Sequence, residues 1–402
     1  MGPQHAYFIN DPEMIRDLFV VNAHKFHKGR ALQRAKSLLG NGLLTAEGET
    51  HLRHRRMIQP EFHRQRIAEY SRWMVDYGEL MSAKWRKGQV LDLDKEMMHL
   101  TLQIVGKTLF GAEVGGEADE VGRAMSTIVG MFNYLLLPFS EWLEKLPIPH
   151  SRRYHSARDT LNNVIYKIIN ERRRFAEDTG DLLSMLLLAQ DETTGQGLTD
   201  EQVRDEALTL FLAGHETTAN ALTWTWYLLS QNPEAEAKLH DELHDVLGGR
   251  VPTFDDIPLL RYTEAVLAES MRLFPPAWTI GRLAIEPHEF GGYRIPQGSL
   301  ILASQFVMHR DARFWPDAER FIPDRWLSQS VKEATQRFVY FPFGGGVRRC
   351  IGESFAWTEG VLLLAVFAAS WKLRMVPDQR VGLQPMITLR PKYGMRMATS
   401  RH

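Results

Sequence analysis

The only cysteine of the chain, Cys350, lies in the run Phe343-Gly344-Gly345-Gly346-Val347-Arg348-Arg349-Cys350-Ile351-Gly352. A glycine-rich turn thus carries one thiol, beside two arginines, to the start of the apolar segment from Glu353 to Ser370. If that segment is helical, its N-terminal dipole together with Arg348 and Arg349 favours a thiolate over a thiol. A soft thiolate with no second cysteine suits an axial ligand of haem iron better than a structural zinc. The glycines let backbone approach a large flat ligand where a Cβ would clash. A buried free cysteine at a helix start accounts for the same residue without a ligand. From these ten residues alone the two readings stand level.

Three further groupings could do chemistry or hold charge. In Phe211-Leu212-Ala213-Gly214-His215-Glu216-Thr217-Thr218 an acid adjoins a hydroxyl, and Glu216 with Thr217 can relay protons to a reduced-oxygen species. A solvent-facing pair is the plainer reading, but the flanks Leu208 to Ala213 and Ala219 to Trp226 are apolar on nearly every face, which favours burial. Glu269 and Arg272 are three residues apart and share one helix face, so an ion pair is natural. Exposed, it contributes about 0–1 kcal/mol. The apolar neighbours Val266 to Ala268 and Met271 to Phe274 favour burial, where loss of one partner costs about 3–5 kcal/mol. His51 and Arg55 lie four apart in His51-Leu52-Arg53-His54-Arg55-Arg56, a charge run of the kind that is ordinarily a solvated surface.

Other matches fail on inspection. His215-Glu216-Thr217-Thr218-Ala219 opens like the zinc-peptidase motif, but Ala219 stands where the second histidine must be. Gly344 to Arg349 lacks the last glycine of a dinucleotide fingerprint and follows no convincing strand. His309-Arg310-Asp311 is similar to a kinase catalytic loop, yet no asparagine follows in place and no kinase glycine loop or partner lysine accompanies it.

Positioning these groups falls to a mainly α chain with a small β component. Helical periodicity covers segments near 12–20, 50–85, 94–110, 117–136, 151–176, 181–190, 200–231, 233–247, 259–274 and 353–370. Strand-like pieces are short: Ala6 to Asn10, Gly292 to Ile295, Leu300 to Ala303 and Met386 to Leu389. No internal repeat, low-complexity tract or Ser/Gly linker interrupts the chain, so residues 1–402 read as a single domain. The segment from Asp200 to Gln231 spans roughly 48 Å as a helix, long enough to cross a domain. Thr199 and Gln202 form a capping box at its start, Asn232-Pro233 stops it, and Gly214 with the neighbouring threonines predicts a kink or bulge.

The 402 residues are 44% hydrophobic and 24% charged with a net charge of −1, an ordinary globular composition that gives no reason to expect nucleic acid as a partner. One cysteine excludes an intrachain disulfide and fits a reducing compartment. No signal peptide and no apolar run of membrane-spanning length is seen, so the expectation is a cytoplasmic protein without a membrane span.

The pattern Phe343-x-x-Gly346-x-Arg348-x-Cys350-x-Gly352 resembles the haem-binding loop of the cytochrome P-450 family, with five specified positions in ten residues. The resemblance spans nearly the whole chain. Ala213-Gly214-His215-Glu216-Thr217-Thr218 is similar to the family's distal-helix signature, and Glu269-x-x-Arg272 to its helix K motif, completed by Arg325 in Pro323-Asp324-Arg325-Trp326. It implies a cytochrome P-450 fold with a long central I helix and haem between the I and L helices. One departure is that Tyr7 to Glu13 looks like the family's second strand leading into helix B, so N-terminal elements of the family pattern are missing ahead of it; either the start is truncated or misassigned, or another element covers the exposed sheet edge.

The roles implied by that resemblance follow residue by residue. Cys350 is the axial thiolate of haem b, Arg348 pairs with a propionate, Phe343 packs beside the sulfur, and Gly346 and Gly352 shape the loop. His51, Arg55 and Arg282 hold propionates as well. Thr217 and Glu216 steer protons onto bound O2, for which Ala213 and Gly214 make room, while Glu269, Arg272 and Arg325 are structural. Arg53, Arg56 and Arg349 are candidates for a basic face that meets an acidic electron donor. The implied activity is a monooxygenase inserting one oxygen atom from O2 into an apolar small molecule. Its NAD(P)H-derived electrons come from a ferredoxin or flavodoxin-type donor with its reductase. The pocket is expected along Leu210 to Gly214, Trp278 to Leu283, part of Met131 to Leu137, and Met386-Ile387. A haem-thiolate isomerase, dehydratase or peroxygenase is the alternative, although such members often lack the acid–threonine pair. A non-enzymatic haem sensor leaves Glu216-Thr217 unexplained.

Overall fold

The computed structural model describes residues 5–111, 121–124, 127, 128, 130, 146, 148–175, 181–190 and 195–402. Among them the helices longer than ten residues are α1 (Gly48–Ile58), α2 (Arg64–Ser82), α3 (Leu93–Phe110), α4 (Pro149–Phe175), α5 (Asp200–Gln231), α6 (Pro233–Leu247), α7 (Arg261–Leu273) and α8 (Glu353–Ala368). Most of the helix expected near 117–136, and the lining expected at Met131 to Leu137, lie outside the described residues.

Local chemistry accounts for several boundaries. The single helix expected over 50–85 is instead α1 and α2, separated by a 3₁₀ turn at Gln59–Phe62. Pro60 has no amide hydrogen to continue an α-helix and is tolerated at the start of that turn. At the start of α5, Thr199 N–H donates to Gln202 Oε1 at 3.0 Å and Gln202 N–H to Thr199 Oγ1 at 3.2 Å, a reciprocal capping box. Of the kink or bulge expected at Gly214, a π-bulge is absent, since α5 is α-helical over all 32 residues. The glycine serves packing: a Cβ there would lie 2.9 Å from Val105 Cγ2. After Arg16 the first helical turns widen into a π-helix, Asp17–Val21.

The chain folds as two compact units, one of Met1–Gly29, Ile67–Leu100 and Thr217–His402, the other of Arg30–Arg66 and Thr101–Glu216. The first holds the sheets. Strands β1 (Ala6–Ile9), β2 (Phe26–Lys28), β4 (Ile280–Ala284) and β7 (Leu300–Ala303) form one sheet in the order β1-β7-β4-β2, with β1 parallel to β7. A second sheet has the order β3 (Val90–Asp92), β11 (Arg396–Arg401), β8 (Trp371–Met375). Two hairpins complete the set: β5 (His288–Phe290) with β6 (Tyr293–Ile295), and β9 (Leu383–Pro385) with β10 (Leu389–Pro391). Met386 to Thr388 is therefore the turn of a hairpin rather than the strand expected at Met386 to Leu389. The turn is closed by Met386 N–H donating to the Thr388 carbonyl at 3.1 Å.

Helix α8 is the central packing element of this unit. Every residue from Thr358 to Ala368 is buried, so it is apolar on nearly all faces and must lie in the core. Gly360 admits Leu267 of α7, whose Cδ2 would lie 2.6 Å from an added Cβ, and Gly78 of α2 admits Leu363 in the same way at 2.9 Å. Trp85 stacks on Phe367 with ring centroids 4.8 Å apart. In the second unit the first half of α5 is pinned by its acids: Asp205 accepts Asn41 N–H at 2.7 Å and Glu206 accepts Leu43 N–H at 2.9 Å.

Candidate haem-binding and proton-transfer site

The loop ahead of α8 is closed by its own backbone. Gly344 N–H donates to the Phe341 carbonyl at 2.9 Å, Arg349 N–H to Gly346 at 3.0 Å and Cys350 N–H to Phe343 at 2.9 Å. These turns require left-handed backbone at Gly344 (φ 70°) and Gly346 (φ 64°). They leave Cys350 exposed three residues before the first residue of α8. The bare glycines serve protein contacts as well as any ligand. A Cβ on Gly346 would stand 1.7 Å from the Phe19 carbonyl oxygen, and one on Gly345 2.4 Å from Phe338. Phe343 faces Trp357 of α8 at 6.0 Å between ring centroids.

The cations around the loop differ in their engagement. Arg349 binds Glu353 with Nη2 to Oε1 at 2.6 Å. Its guanidinium is held above its usual range, first by that carboxylate and also by the charge of Cys350. Arg348 is half-buried. Arg282 on β4 is buried and lies over the Phe19 ring at 5.1 Å, so Phe19 touches both Arg282 and Gly346. Phe19, on the π-helical turn, carried no signal in the sequence beyond being apolar.

On α5, Phe211, Leu212, His215, Glu216 and Thr218 are buried, whereas Ala213 is exposed and Gly214 and Thr217 are half-buried. Ala213 and Thr217 are one turn apart, so they open a single small-residue face in an otherwise buried stretch. Glu216 is only 1% exposed, which removes the solvent-facing alternative for its side chain. His215 Nδ1 is bonded to the Phe211 carbonyl at 2.8 Å, and its own carbonyl accepts Thr101 Oγ1 at 2.8 Å. Of the expected lining, Trp278 and Met386 come together, Trp278 Nε1 donating to the Met386 carbonyl at 3.0 Å.

His51 and Arg55 stand one turn apart on α1, the first buried and the second half-buried. Between them His54, which in the sequence is one member of a charge run, is 1% exposed and bonded through Nδ1 to Glu206 at 2.6 Å. Arg53 donates to the carbonyls of Gln196 and Gly197, both at 3.1 Å.

Glu269, Arg272 and Arg325 form one network. Arg272 makes two bonds to Glu269, at 2.8 and 2.9 Å, and Arg325 Nε a third at 3.0 Å. Two further donors could not be read from the motif: Trp326 Nε1 at 2.9 Å and the Ile322 amide at 2.9 Å. Arg272 also reaches the carbonyls of His309, Ala318 and Arg320 at 2.7, 2.7 and 2.9 Å.

One more acid has no signal in the sequence. Glu359 on α8 is fully buried, and burial pushes its carboxyl up to about 8 against an opposing pull from the Thr218 hydroxyl. Thr218 lies near without making a bond of full geometry to either oxygen. Within an apolar helix its sequence context offers no hint of a partner.

Among the described residues no group of three or more His, Cys, Asp or Glu side chains could hold a metal. Iron in a porphyrin brings its remaining donors with it and asks the protein for little more than one thiolate. An exposed thiol at the end of a closed loop, with a buried arginine at 282 and a half-buried one at 348, fits that group. Among the described residues no helix is long and apolar enough to cross a membrane.

The family model described as Cytochrome P450 matches residues 1–395. Cyclooctatin synthase of Streptomyces melanosporofaciens is 41% identical over 393 residues, covering 97% of this chain and 85% of the relative. Cyclooctat-9-en-7-ol 5-monooxygenase of the same organism is 40% identical, covering 94% and 82%. Pentalenene oxygenase of Streptomyces avermitilis is 37% identical, covering 95% and 84%. With the helical fold and the thiol loop already described, the chain belongs to the cytochrome P450 family and is a haem-thiolate monooxygenase.

Proposed function

We propose that Cys350 supplies the thiolate ligand of a haem b, and that residues 1–402 act as one haem domain that oxygenates an apolar small molecule of terpenoid kind. The observation that carries this is the exposure of the chain's single cysteine at the end of a self-closed loop ahead of a buried helix. Haem bound here would supply a redox-active iron, and a thiolate ligand from Cys350 would favour O–O cleavage.

The chain's own residues hold and serve that group. Arg348, Arg282, His51 and Arg55 offer charge-assisted donors to its carboxylates. Phe343 packs beside the thiolate, and Gly346 and Gly352 give the loop its path. Ala213 and Gly214 keep bulk off one face of α5. Glu216 offers a buried carboxyl and Thr217 the Oγ1 hydroxyl beside it, an acid and a hydroxyl in adjacent positions that can pass a proton. Burial of Glu216 supports this relay, because water has little access to bypass it.

Electrons originate in NAD(P)H and arrive from a ferredoxin or flavodoxin-type carrier with its reductase, in the cytoplasm. The relatives named for cyclooctat-9-en-7-ol and pentalenene, an unsaturated alcohol and an olefin by their names, support an apolar substrate. The reduced, carbon-monoxide-bound absorption spectrum tests the reading. A strongly red-shifted Soret band in the protein and its loss in Cys350→Ala are expected; an ordinary haem–CO band in the unsubstituted protein overturns it.

A further inference from the structure

His309-Arg310-Asp311 belongs to no kinase loop, and nothing in the proposed function uses it. His309 is nevertheless fully buried at the crossing of two networks. Its carbonyl accepts Arg272 Nη1 at 2.7 Å, and its imidazole Nε2 accepts the Phe341 amide at 2.8 Å. The ring packs on Tyr340 at 4.9 Å and meets the edge of Phe341 at 5.4 Å between centroids. Phe341 is where the thiol loop starts: its carbonyl takes Gly344 N–H, and Phe343 takes Cys350 N–H. A chain of bonds thus runs from Glu269 through Arg272 and His309 into the loop that presents the thiol.

An amide N–H is a donor only, so Nε2 must carry a lone pair and the proton must sit on Nδ1. The carbonyls of Met271 and Arg272 lie near the imidazole, and Nδ1 makes no hydrogen bond of full geometry. Burial, followed by the Arg272 charge, holds the imidazole well below the usual histidine range, which keeps the acceptor form. If His309 merely filled space, an apolar side chain of similar volume would serve. It would orphan a buried amide, which folded proteins rarely tolerate.

We propose that His309 is a positioning residue for the Cys350 thiolate: by accepting the Phe341 amide it ties the start of the thiol loop to the Glu269–Arg272 pair. The inference rests on the reading of Cys350 as the axial ligand. His309→Gln places an acceptor where Nε2 stands, His309→Asn places one only where Nδ1 stands, and His309→Leu places none. The three holoproteins are compared with the unsubstituted one well below their unfolding midpoints. The measurements are the share of reduced carbon-monoxide complex in the red-shifted band and the hydrogen exchange of the Phe341 amide.

The expected result is that Gln keeps both signatures. Asn and Leu are expected to move intensity to the unshifted band and to speed Phe341 exchange about tenfold, the loss of one buried hydrogen bond. Red-shifted bands and Phe341 protection unchanged in Asn and Leu would overturn the proposal. Should Leu fail to fold, the contrast between Gln and Asn decides, and identical behaviour of that pair overturns it. An unshifted band in the unsubstituted protein would refute ligation by Cys350, and the positioning role with it. That outcome is distinct because it appears before any substitution is made.

Discussion

Glu269 receives two nitrogens of Arg272, at 2.8 and 2.9 Å, where neither side chain has any exposure. Both charges left water on folding, and each is tolerable only because the other, with Arg325, Trp326 and three backbone carbonyls, satisfies it. Removing one partner leaves the other as a buried bare charge. Arg272→Ala is expected to destabilise the protein by about 3–5 kcal/mol, read from the midpoint of urea unfolding. Arg325→Ala is expected to do less, since that side chain retains 11% exposure and water can partly replace it. Equal losses for the two would contradict this ordering.

Gly346→Ala sets the loop against the π-helical turn. The left-handed backbone alone costs a non-glycine residue about 1–3 kcal/mol, and the new methyl collides with the Phe19 carbonyl. The variant is expected to fold with a lower unfolding midpoint and a weakened red-shifted band, because the loop must withdraw from Phe19. Gly88→Ala, at φ 79° with open space around it, supplies the control: backbone strain without the collision and with the band intact.

Thr217→Ala removes the hydroxyl at the opening of α5 but adds no bulk. Electron consumption is expected to continue while product falls and peroxide rises, measured as peroxide released per NADH oxidised with a reconstituted donor. Glu216→Gln, which keeps shape but cannot supply a proton, is expected to slow turnover about a hundredfold. Full coupling in Thr217→Ala would remove Thr217 from the relay.

Glu359 predicts a pH dependence of stability. Its carboxyl, ordinarily near 4.5, stays protonated in the folded protein up to about 8. Between these values the unfolded chain has released a proton that the folded one keeps, so stability falls as pH rises through the window and levels off above it. The contribution is about 1.4 kcal/mol for each pH unit crossed. In Glu359→Gln this component of the slope vanishes, and unfolding midpoints from pH 5 to 9 compared with the unsubstituted protein measure it. Parallel curves for the two proteins would mean that Glu359 is ionised in the fold.

Much of the site could be read from local spacing because spacing is what a helix or turn converts into geometry. Glu269 and Arg272 share a face by the period of α7, the capping box of α5 needs only Thr199 and Gln202, and the glycine–arginine–cysteine loop ends at a helix whose apolar content already required burial. The widest misses came where neighbours along the chain decide less than neighbours in space. The hairpin turn at Met386 to Thr388 looked like a strand because its residues are strand formers. Pairing of Leu383–Pro385 with Leu389–Pro391 overrode that preference. Gly214 was expected to mark a kink or bulge because glycine weakens helices, and what the fold adds is the close approach of Val105, which leaves no room for a Cβ there.

The sequence by itself determined most of the long helices, the thiol and the pairs a helix period brings together, since these depend on residues a few positions apart. Only the tertiary structure decided that Phe19 would meet Gly346, that Glu206 would take His54, that Thr218 would lie beside Glu359 and that His309 would hold the Phe341 amide. Those partners are separated by tens to hundreds of residues. Desolvation and hydrogen-bond satisfaction act through distance in space, which no local pattern encodes.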